Sequence, residues 1–279
     1  MKQLASIFFL ILISLFVGKG SYYLKDGFTM RRIHSLSYHV EHVFHDEVYE
    51  ALAQPFFYLG RGRQCFAFES RDGRHVLKLP RTDIYKTPFW MRVLPLNALR
   101  KHLEQKHQVS ATFIVESIRL AQEELGFQTG IIASHLGQSA PSPIRLHLVD
   151  ALSCHYHPLL YKTPFILQKK QPLLIPIFLN ALKQNHLEES KKILEALLDV
   201  IVKRAKKGIL NRDRSFLRNY GFDGTYAYQI DVGSFFQTKE MTPEMIYQKS
   251  VRDSTDPIRE WLAQINPQMR ITFDQLLQE

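Results

Sequence analysis

The chain of 279 residues is poor in cysteine, with only Cys65 and Cys154. Small secreted scaffolds that depend on disulfides carry several cysteines at regular spacing, so we expect two free thiols and exclude that class of protein. Repeats and low-complexity segments are also missing from the sequence. Because the charged fraction of 23% is ordinary for a globular protein, extensive disorder is excluded as well.

Acidic residues are the minority among the charged groups. The sequence has 36 Lys and Arg residues against 27 Asp and Glu residues, which gives a formal net charge of +9 and a pI near 9.4. This balance favours an anionic partner such as nucleic acid, acidic lipid or a phosphorylated small molecule, and does not choose among them. The length fits one large domain or two lobes that share a cleft.

The one long hydrophobic run is short for a membrane span. It covers Leu4–Val17, which is 14 residues, whereas a transmembrane helix needs about 20. Lysines and arginines follow the run more densely than they precede it, so the positive-inside rule favours an uncleaved anchor with the rest of the chain in the cytoplasm. The basic residues that follow are Lys19, Lys25, Arg31 and Arg32.

Two other interpretations of residues 1–20 stay open. Gly18 and Gly20 form a small-x-small pattern that a signal peptidase could accept, with export after cleavage near Gly20. The run could also form a buried core helix. Residues 21–55, mixed in character and without a steady period, are interpreted as a connector.

From Phe56 the pattern becomes typical of β-strands. Apolar and polar residues alternate on both sides of Asp72-Gly73, a dipeptide that favours a tight hairpin turn, so two or three antiparallel strands are predicted. The segment that begins at Ser110, a candidate N-cap, has the 3.6-residue period of a helix that ends at Gly126. Three more strands are predicted in "TGIIASHL", "IRLHLVDALS" and "FILQKK".

After Pro172 the pattern is mainly helical. Two helices are predicted in "IPIFLNALKQ" and "LEESKKILEALLDVIVKRAKKGI", and three short ones at the carboxyl end. The basic residues Lys203, Arg204, Lys206 and Lys207 are interpreted as a solvated helix end, with anionic lipid contact as the alternative. Short strands are predicted around the Asp223-Gly224 turn. The fold prediction is α+β with two lobes: an antiparallel-sheet N-lobe with one helix (residues 56–171) and a mainly helical C-lobe (residues 172–279).

Two features of the N-lobe suggest phosphate binding. Gly60 and Gly62 lie between two predicted strands, where backbone amides could approach a phosphate, although a simple turn also explains them. Lys78 lies in the apolar strand "VLKL", and its side chain either extends to solvent or reaches phosphate oxygens.

The motifs of the C-lobe carry a family resemblance. Asn211-Arg212-Asp213, then Asn219, a hairpin, and Asp231-Val232-Gly233 resemble the catalytic loop and metal-binding motif of the protein-kinase-like fold, which recurs in bacterial aminoglycoside kinases and lipopolysaccharide-sugar kinases. The resemblance extends in order from Phe56 to about Phe236. It implies an ATP-dependent phosphotransferase that requires Mg²⁺.

The resemblance also assigns roles to individual residues. It implies a glycine-rich loop over the phosphates at Gly60 and Gly62, a phosphate-binding lysine with its carboxylate partner at Lys78 and Glu116, and an adenine-binding hinge at Gln168, Lys169 and Lys170, extending to Gln171. It further implies that Asp213 orients or deprotonates the acceptor hydroxyl. Asn219 and Asp231 are the implied magnesium ligands, and both offer the hard oxygen donors that this ion prefers.

The sequence departs from the family pattern at three places. Asn211 replaces histidine, Val232 replaces phenylalanine, and Asn219 follows Asp213 by six residues where the family has five. No activation segment is evident, so the expected acceptor is a small molecule or a lipid-linked sugar and not a peptide. Two alternatives remain: a pseudokinase or nucleotide-binding module without transfer activity, and an exported basic binding protein. We expect a monomer, membrane contact through residues 1–20 and no specific nucleic-acid partner.

Overall fold

A computed structural model describes residues 13–14, 17–33, 44–86 and 97–278, which form two compact units. Unit 1 comprises the described parts of Met1–His107 together with Ala133–Leu167, and unit 2 comprises Gln108–Ile132 and the described part of Gln168–Glu279. The sequence interpretation placed the boundary at residues 171/172 and assigned residues 108–132 to the N-lobe.

The described elements include eleven strands, six α-helices and three short 3₁₀ helices, with the strands in consecutive runs separated by helices. The strands are β1 Pro55–Arg61, β2 Cys65–Ser70, β3 His75–Pro80, β4 Ile131–His135, β5 His147–Val149, β6 His155–Tyr156, β7 Phe165–Lys169, β8 Leu210–Asn211, β9 Tyr220–Phe222, β10 Ala227–Gln229 and β11 Phe235–Phe236. The α-helices are α1 Asp46–Leu52, α2 Asn97–Thr129, α3 Leu174–Lys183, α4 Leu187–Lys206, α5 Pro243–Ile265 and α6 Pro267–Leu276. Short 3₁₀ helices cover Met30–Arg32, Thr82–Tyr85 and Leu160–Lys162, and residues 17–24 are helical.

The large sheet has seven strands in the order β4-β7-β3-β2-β1-β5-β6. The predicted strands β1, β2 and β3 are confirmed as an antiparallel meander. The prediction of a purely antiparallel sheet is wrong, because β1 also pairs with β5 in parallel. A parallel pair needs a long crossover connection, and here most of the chain between β1 and β5, including α2, provides it.

The β2–β3 hairpin is set by its turn residues. Gly73 has φ +69°, a conformation that favours glycine, so the Asp72-Gly73 prediction is confirmed. The Asp72 carboxylate accepts hydrogen bonds from Ser70 Oγ at 2.6 Å and from the Arg74 amide at 3.0 Å. Those bonds hold the pKa of Asp72 well below its usual range, so the turn keeps a charged carboxylate at neutral pH.

Aromatic packing and one buried ion pair stabilise unit 1. Phe28 is fully buried, and its ring lies 5.0 Å from Phe68 and 5.3 Å from Phe66, measured between centroids. Nearby in sequence, Lys25 Nζ lies 2.8 Å from Asp150 Oδ2, whose side chain is fully buried. The connector predicted for residues 21–55 therefore contributes directly to the core of this unit.

A large apolar core stabilises unit 2. Leucine and isoleucine residues from α3 and α4 pack against Ile258 and Leu262 of α5 and Phe273 of α6, and all three of these are fully buried. Phe178 of α3 is also fully buried within this cluster. The apolar stripe of α4 predicts this packing, because residues three and four apart share one helix face.

Several predicted helix bounds are corrected. Helix α2 begins at Asn97, so Ser110 lies inside the helix and is not its N-cap. The predicted start at Thr242-Pro243 is confirmed, since the Thr242 side chain accepts a hydrogen bond from the Met245 amide. Two of the three predicted C-terminal helices are one continuous helix, α5, which accommodates Pro257 in its interior.

The predicted anchor within residues 1–20 lies largely outside the described residues. Among the helices that are described, none combines the length and the hydropathy needed to cross a membrane. Residues 17–24 are helical and expose large apolar side chains, with Tyr23 at 76% and Leu24 at 67% of their full accessibility.

Candidate functional site

Two small antiparallel sheets in unit 2 hold the residues of the kinase-like motifs. Strands β8 and β11 pair Asn211 with Phe235, and strands β9 and β10 pair Tyr220 with Gln229. The segment 212–219 leaves β8 and enters β9, and the segment 230–234 leaves β10 and enters β11. Each segment therefore starts at one small sheet and ends at the other.

Backbone hydrogen bonds extend both pairings into the two segments. The Arg212 amide donates to the Ser234 carbonyl at 3.0 Å, and the Ile230 amide donates to the Asn219 carbonyl at 2.9 Å. Asp213 and Asp231 each lie one residue beyond such a bond. The two segments are thus held side by side at both ends.

Asp213 is fixed by a local hydrogen-bond network. Its Oδ1 accepts from the Ser215 amide at 2.8 Å, and its Oδ2 accepts from Asn219 Nδ2 at 3.0 Å. Asn211 Oδ1 accepts from the Asp213 amide at 3.1 Å, so the asparagine that replaces the family histidine shapes this turn. Within the described residues Asp213 takes part in no salt bridge, and its side chain contacts Asn219. The roles that the resemblance assigns to these two residues stay predictions.

Asp231 presents an accessible carboxylate directly after Ile230, the residue whose amide bonds to the Asn219 carbonyl. The residue is exposed, and from the described part of the chain its Oδ1 receives only a long contact of 3.4 Å from the Gly233 amide. Asn219 donates its Nδ2 to Asp213, so its amide oxygen is the atom left to accept or to coordinate. These oxygen donors fit Mg²⁺, which is usually held by one or two protein ligands together with water and phosphate oxygens.

Arginines surround the segment 212–219 in different environments. The Arg212 guanidinium lies 4.1 Å from the ring centroid of Phe113 and 4.9 Å from that of Phe236. Arg214 Nη2 pairs with Asp253 Oδ1 at 2.9 Å, and Arg218 is exposed. Aromatic stacking fixes Arg212 without neutralising it, so it adds positive potential beside Asp213.

The β9–β10 hairpin that supports the site is stabilised at its tip. Asp223 accepts from the amides of Thr225 and Tyr226 at 2.8 and 2.7 Å and from Tyr228 Oη at 2.7 Å. Burial alone would raise the pKa of Asp223, but these bonds outweigh it and lower that pKa. Burial, together with the hydrogen bond to Asp223, raises the pKa of Tyr228 to about 12. At neutral pH Asp223 is therefore ionised and Tyr228 is protonated.

The predicted phosphate-binding residues of unit 1 lie on its central strands. Lys78 of β3 is paired with Ala67 of β2, and its neighbours Leu77 and Leu79 are fully buried on the opposite face. Gly60 lies within β1, and Gly62 begins the β1–β2 turn, where its amide donates to the Cys65 carbonyl at 2.8 Å. A Cβ atom at Gly60 would meet nothing within 4 Å, so the backbone here is open.

Glu116, the implied partner of Lys78, lies on α2 with a side chain 52% exposed. Its carboxylate pairs with Arg119 of the same helix at 2.9 Å. A contact between an exposed carboxylate and a neighbouring arginine is weak, and does not fix the position of the glutamate. The proposed pairing of Glu116 with Lys78 stays a prediction.

The predicted hinge is anchored to the end of α2. Gln168 is buried and its Nε2 donates to the Thr129 carbonyl at 2.5 Å, while the Lys169 amide donates to the Gly130 carbonyl at 2.8 Å. The side chains of Lys169 and Lys170 are exposed. The side-chain amide of Gln168 therefore already donates a hydrogen bond within the protein. Its assigned role in adenine binding stays a prediction.

Three histidines cluster on β5, β6 and the residue after β6. His147 Nε2 lies 2.8 Å from His155 Nδ1, and the His147 and His157 rings are 4.5 Å apart between centroids. Burial and the two neighbouring rings lower the pKa of His147. Within the part of the chain that the structure describes, no three His, Cys, Asp or Glu side chains are arranged to hold a metal ion.

The sequence interpretation missed the supporting residues of the site. It assigned Phe113, which stacks on Arg212, only to the apolar pattern of a helix, and it did not single out Ser117, which is fully buried on α2. It also interpreted Arg204 as solvated, and this is wrong because Arg204 is fully buried. The burial of Arg204 is indicated in the sequence by its position, because it lies three residues after Ile201 on the apolar face of α4.

Comparison with solved structures finds several partial neighbours. A crystal structure of WbdD aligns with 66% of this chain and 33% of its own, at 16% identity and a TM-score of 0.35. A second structure, described as the bifunctional kinase-methyltransferase WbdD, aligns at 15% identity with a TM-score of 0.34. A co-crystal of WbdD with the kinase inhibitor LY294002 aligns at 20% identity with a TM-score of 0.34.

The alignments span about a third of each WbdD chain, and TM-scores this low do not establish a common fold. No protein-family model matches the chain, and no curated protein sequence matches it.

Proposed function

We propose that the chain is a kinase-like phosphotransferase that transfers a phosphoryl group from ATP, with Mg²⁺, to a hydroxyl of a small or lipid-linked acceptor. The observation that carries the proposal is the grouping of Asp213, Asn219 and Asp231 between the two small sheets of unit 2. The Asp231 carboxylate supports the proposal because it is exposed and, among the described residues, accepts only a long contact of 3.4 Å, so its oxygens are open to a ligand.

The proposed metal ligands are Asp231 and Asn219. Mg²⁺, when bound, supplies charge neutralisation on the phosphate oxygens of the nucleotide. The protein holds the backbones of the two ligand-carrying segments together through the hydrogen bond from the Ile230 amide to the Asn219 carbonyl. Arg212, which precedes Asp213 and lies against the Phe113 ring, adds a fixed positive charge to the segment.

Asp213 is proposed to orient the acceptor hydroxyl and to accept its proton. Each of its oxygens already accepts one hydrogen bond, and each retains a second lone pair. The bond from Asn219 fixes the carboxylate plane and so the direction of that lone pair. Positioning of this kind supplies much of the rate in phosphoryl transfer, because the reaction needs little covalent help from the protein.

A second candidate function is nucleotide binding without transfer. It is favoured by the Asp213–Asn219 hydrogen bond, which ties the Asp213 carboxylate into the structure of the loop. Asn211, in place of the family histidine, also bonds to the backbone of the turn. In this alternative the site binds a magnesium nucleotide, and Asp213 has a structural role.

Substitution of the two aspartates distinguishes the candidates. Asp231→Asn is expected to abolish the magnesium dependence of ATP binding in calorimetry, whereas Asp213→Asn should keep binding and lose phosphoryl transfer. Asp199→Asn is the matched control, because Asp199 is an exposed carboxylate of the same unit that pairs with Lys203 at 2.7 Å. Equal magnesium-dependent affinity of the wild type and Asp231→Asn would contradict the metal role.

The role of Lys78 in phosphate binding is tested separately. Lys78→Ala should weaken ATP binding because a cationic contact to the phosphates is removed. Isothermal calorimetry measures this, and circular dichroism checks that the fold is intact. An unchanged affinity would contradict the assignment of Lys78, Gly60 and Gly62 to the nucleotide.

We also propose that residues 1–20 remain attached and bring the chain to a membrane, facing the cytoplasm where ATP is available. The basic residues that follow the hydrophobic run and the apolar side chains exposed by residues 17–24 support this proposal. Amino-terminal sequencing of the mature protein tests it, and a chain that begins at Ser21 would indicate export instead.

A further inference from the structure

The segment that carries Asp231 is closed by one distant hydroxyl group. Ser117 Oγ donates to the Val232 carbonyl at 2.5 Å and accepts from the Phe235 amide at 2.6 Å. Ser117 lies on α2, more than a hundred residues earlier in the chain, and is fully buried. A single side chain thus joins the two ends of the turn between Asp231 and β11.

A buried arginine holds the same segment from α4. Arg204 is fully buried; its Nη1 donates to Gln229 Oε1, and its guanidinium lies 5.7 Å from the ring centroid of Phe235. Within the described residues no carboxylate pairs with Arg204, whose other contact is Ser254 Oγ at 2.5 Å. The strand before Asp231 and the strand after it are therefore both fixed.

The Asp231 carboxylate itself lacks comparable support. It is exposed, and the one hydrogen bond that it accepts from the described residues is the 3.4 Å approach of the Gly233 amide. Its position therefore depends on the backbone of residues 230–235, and that backbone depends on Ser117 and Arg204. Groups that orient a metal ligand from the second layer of contacts commonly change metal affinity by about 10- to 100-fold.

We propose that Ser117 is a positioning residue that sets the Asp231 backbone and thereby the affinity of the site for magnesium. The inference rests on the proposed function, because it takes Asp231 as the metal ligand. It adds that α2 contributes to the site through the hydroxyl of Ser117, independently of the glutamate that precedes it. A merely structural serine would affect stability and leave the magnesium requirement unchanged.

Ser117→Ala is the test variant and Ser190→Ala is its matched control. Ser190 is equally buried in unit 2, and its Oγ donates to the His186 carbonyl at 2.9 Å at the start of α4. Both variants lose a buried serine hydroxyl, but only Ser117 contacts the Asp231 segment. Thermal unfolding of the two variants provides the comparison of stability.

The first measurement is the magnesium concentration that half-saturates ATP binding in the purified full chain. Ser117→Ala should raise this concentration about tenfold, with little change in nucleotide affinity without metal, and Ser190→Ala should not raise it. An unchanged magnesium midpoint in Ser117→Ala, or an equal shift in Ser190→Ala, would overturn the inference.

The second measurement is amide hydrogen exchange in the ligand-free protein. Loss of the acceptor oxygen should make the Phe235 amide exchange about tenfold faster in Ser117→Ala and not in Ser190→Ala. Unchanged Phe235 exchange would overturn the positioning role whatever the protein binds. Faster exchange in a protein whose wild type binds no magnesium nucleotide would instead refute the proposed function and confirm that Ser117 fixes the segment.

Discussion

The two regions proposed to contact a nucleotide are constructed differently. In unit 2 the Asp231 segment is fixed by Ser117, by Arg204 and by two strand pairings. In unit 1 the backbone at Gly60 is open, and the turn that follows is held through main-chain groups. The Gly62 amide donates to the Cys65 carbonyl at 2.8 Å, and the Arg81 amide donates to the Gln64 carbonyl at 2.7 Å. A metal site needs oxygen donors at fixed positions, whereas a phosphate can be met by backbone amides that adjust on binding.

The cores of the two units differ in a related way. Unit 2 is held by a continuous apolar cluster in which Phe178, Ile258 and Phe273 are fully buried. Unit 1 combines aromatic contacts around Phe28 with the buried Asp150 carboxylate, which accepts bonds from Lys25 and Tyr156. Apolar cores respond little to pH, but a buried carboxylate makes stability depend on its ionisation. We therefore expect the stability of unit 2 to depend mainly on its apolar side chains, and the stability of unit 1 to depend also on acidic pH.

The largest effect is expected in the apolar core of unit 2. Phe178→Ala should reduce the free energy of unfolding of that unit by about 3–5 kcal/mol, because it leaves a cavity and exposes no new polar group. Leu179→Ala, at a neighbouring position 42% exposed, is the control and should cost far less. Urea unfolding, monitored by hydrogen exchange in each unit, measures the free energy of unfolding of the two variants. Equal losses of stability in Phe178→Ala and Leu179→Ala would contradict the described core.

An intermediate effect is expected at Asp150 in unit 1. Burial would raise its pKa, but hydrogen bonds from Lys25, Tyr156 and the Cys154 and Leu152 amides lower it. Asp150→Asn should cost about 2–3 kcal/mol at neutral pH, because Lys25 loses its charged partner.

The same residue predicts how acid acts on unit 1. Because the folded-state pKa of Asp150 is lowered, its contribution is complete above the ordinary aspartate pKa and is lost as the pH falls through the lowered value. Asp150→Asn should therefore flatten the dependence of unit 1 stability on pH in that acidic range. Asp46→Asn, at an exposed position of the same unit, is the control, and the two variants should differ in slope when urea midpoints are compared.

The smallest effect on stability is expected at Gly60, where the backbone is open. Gly60→Ala should change stability by less than about 0.5 kcal/mol, since a Cβ there meets nothing within 4 Å. Nucleotide affinity should nevertheless fall if the backbone approaches the phosphates. Gly73→Ala gives the opposite pattern, a loss of about 1 kcal/mol from the strained φ of +69° with unchanged affinity. Calorimetry measures the nucleotide affinity of both variants, and thermal unfolding measures their stability. A Gly60→Ala protein with full nucleotide affinity would contradict the role of this turn.

Local chemistry in the sequence predicted much of the secondary structure. The Asp72-Gly73 hairpin, the Asp223-Gly224 hairpin and the helix start at Thr242-Pro243 are all present. Each depends on residues a few positions apart, whose conformational preferences act within one turn. The hydrogen bond between Asp213 and Asn219 is local as well, since the two residues lie six positions apart, but it was not predicted.

The tertiary structure alone decided the features that join distant parts of the chain. The parallel pairing of β1 with β5 and the inclusion of residues 108–132 in unit 2 have no local signature. Nor does the sequence reveal that Ser117 bonds to Val232 and Phe235. Such contacts depend on which surfaces meet after folding, since burial and hydrogen-bond satisfaction are settled by the whole assembly of elements and not by neighbours in sequence.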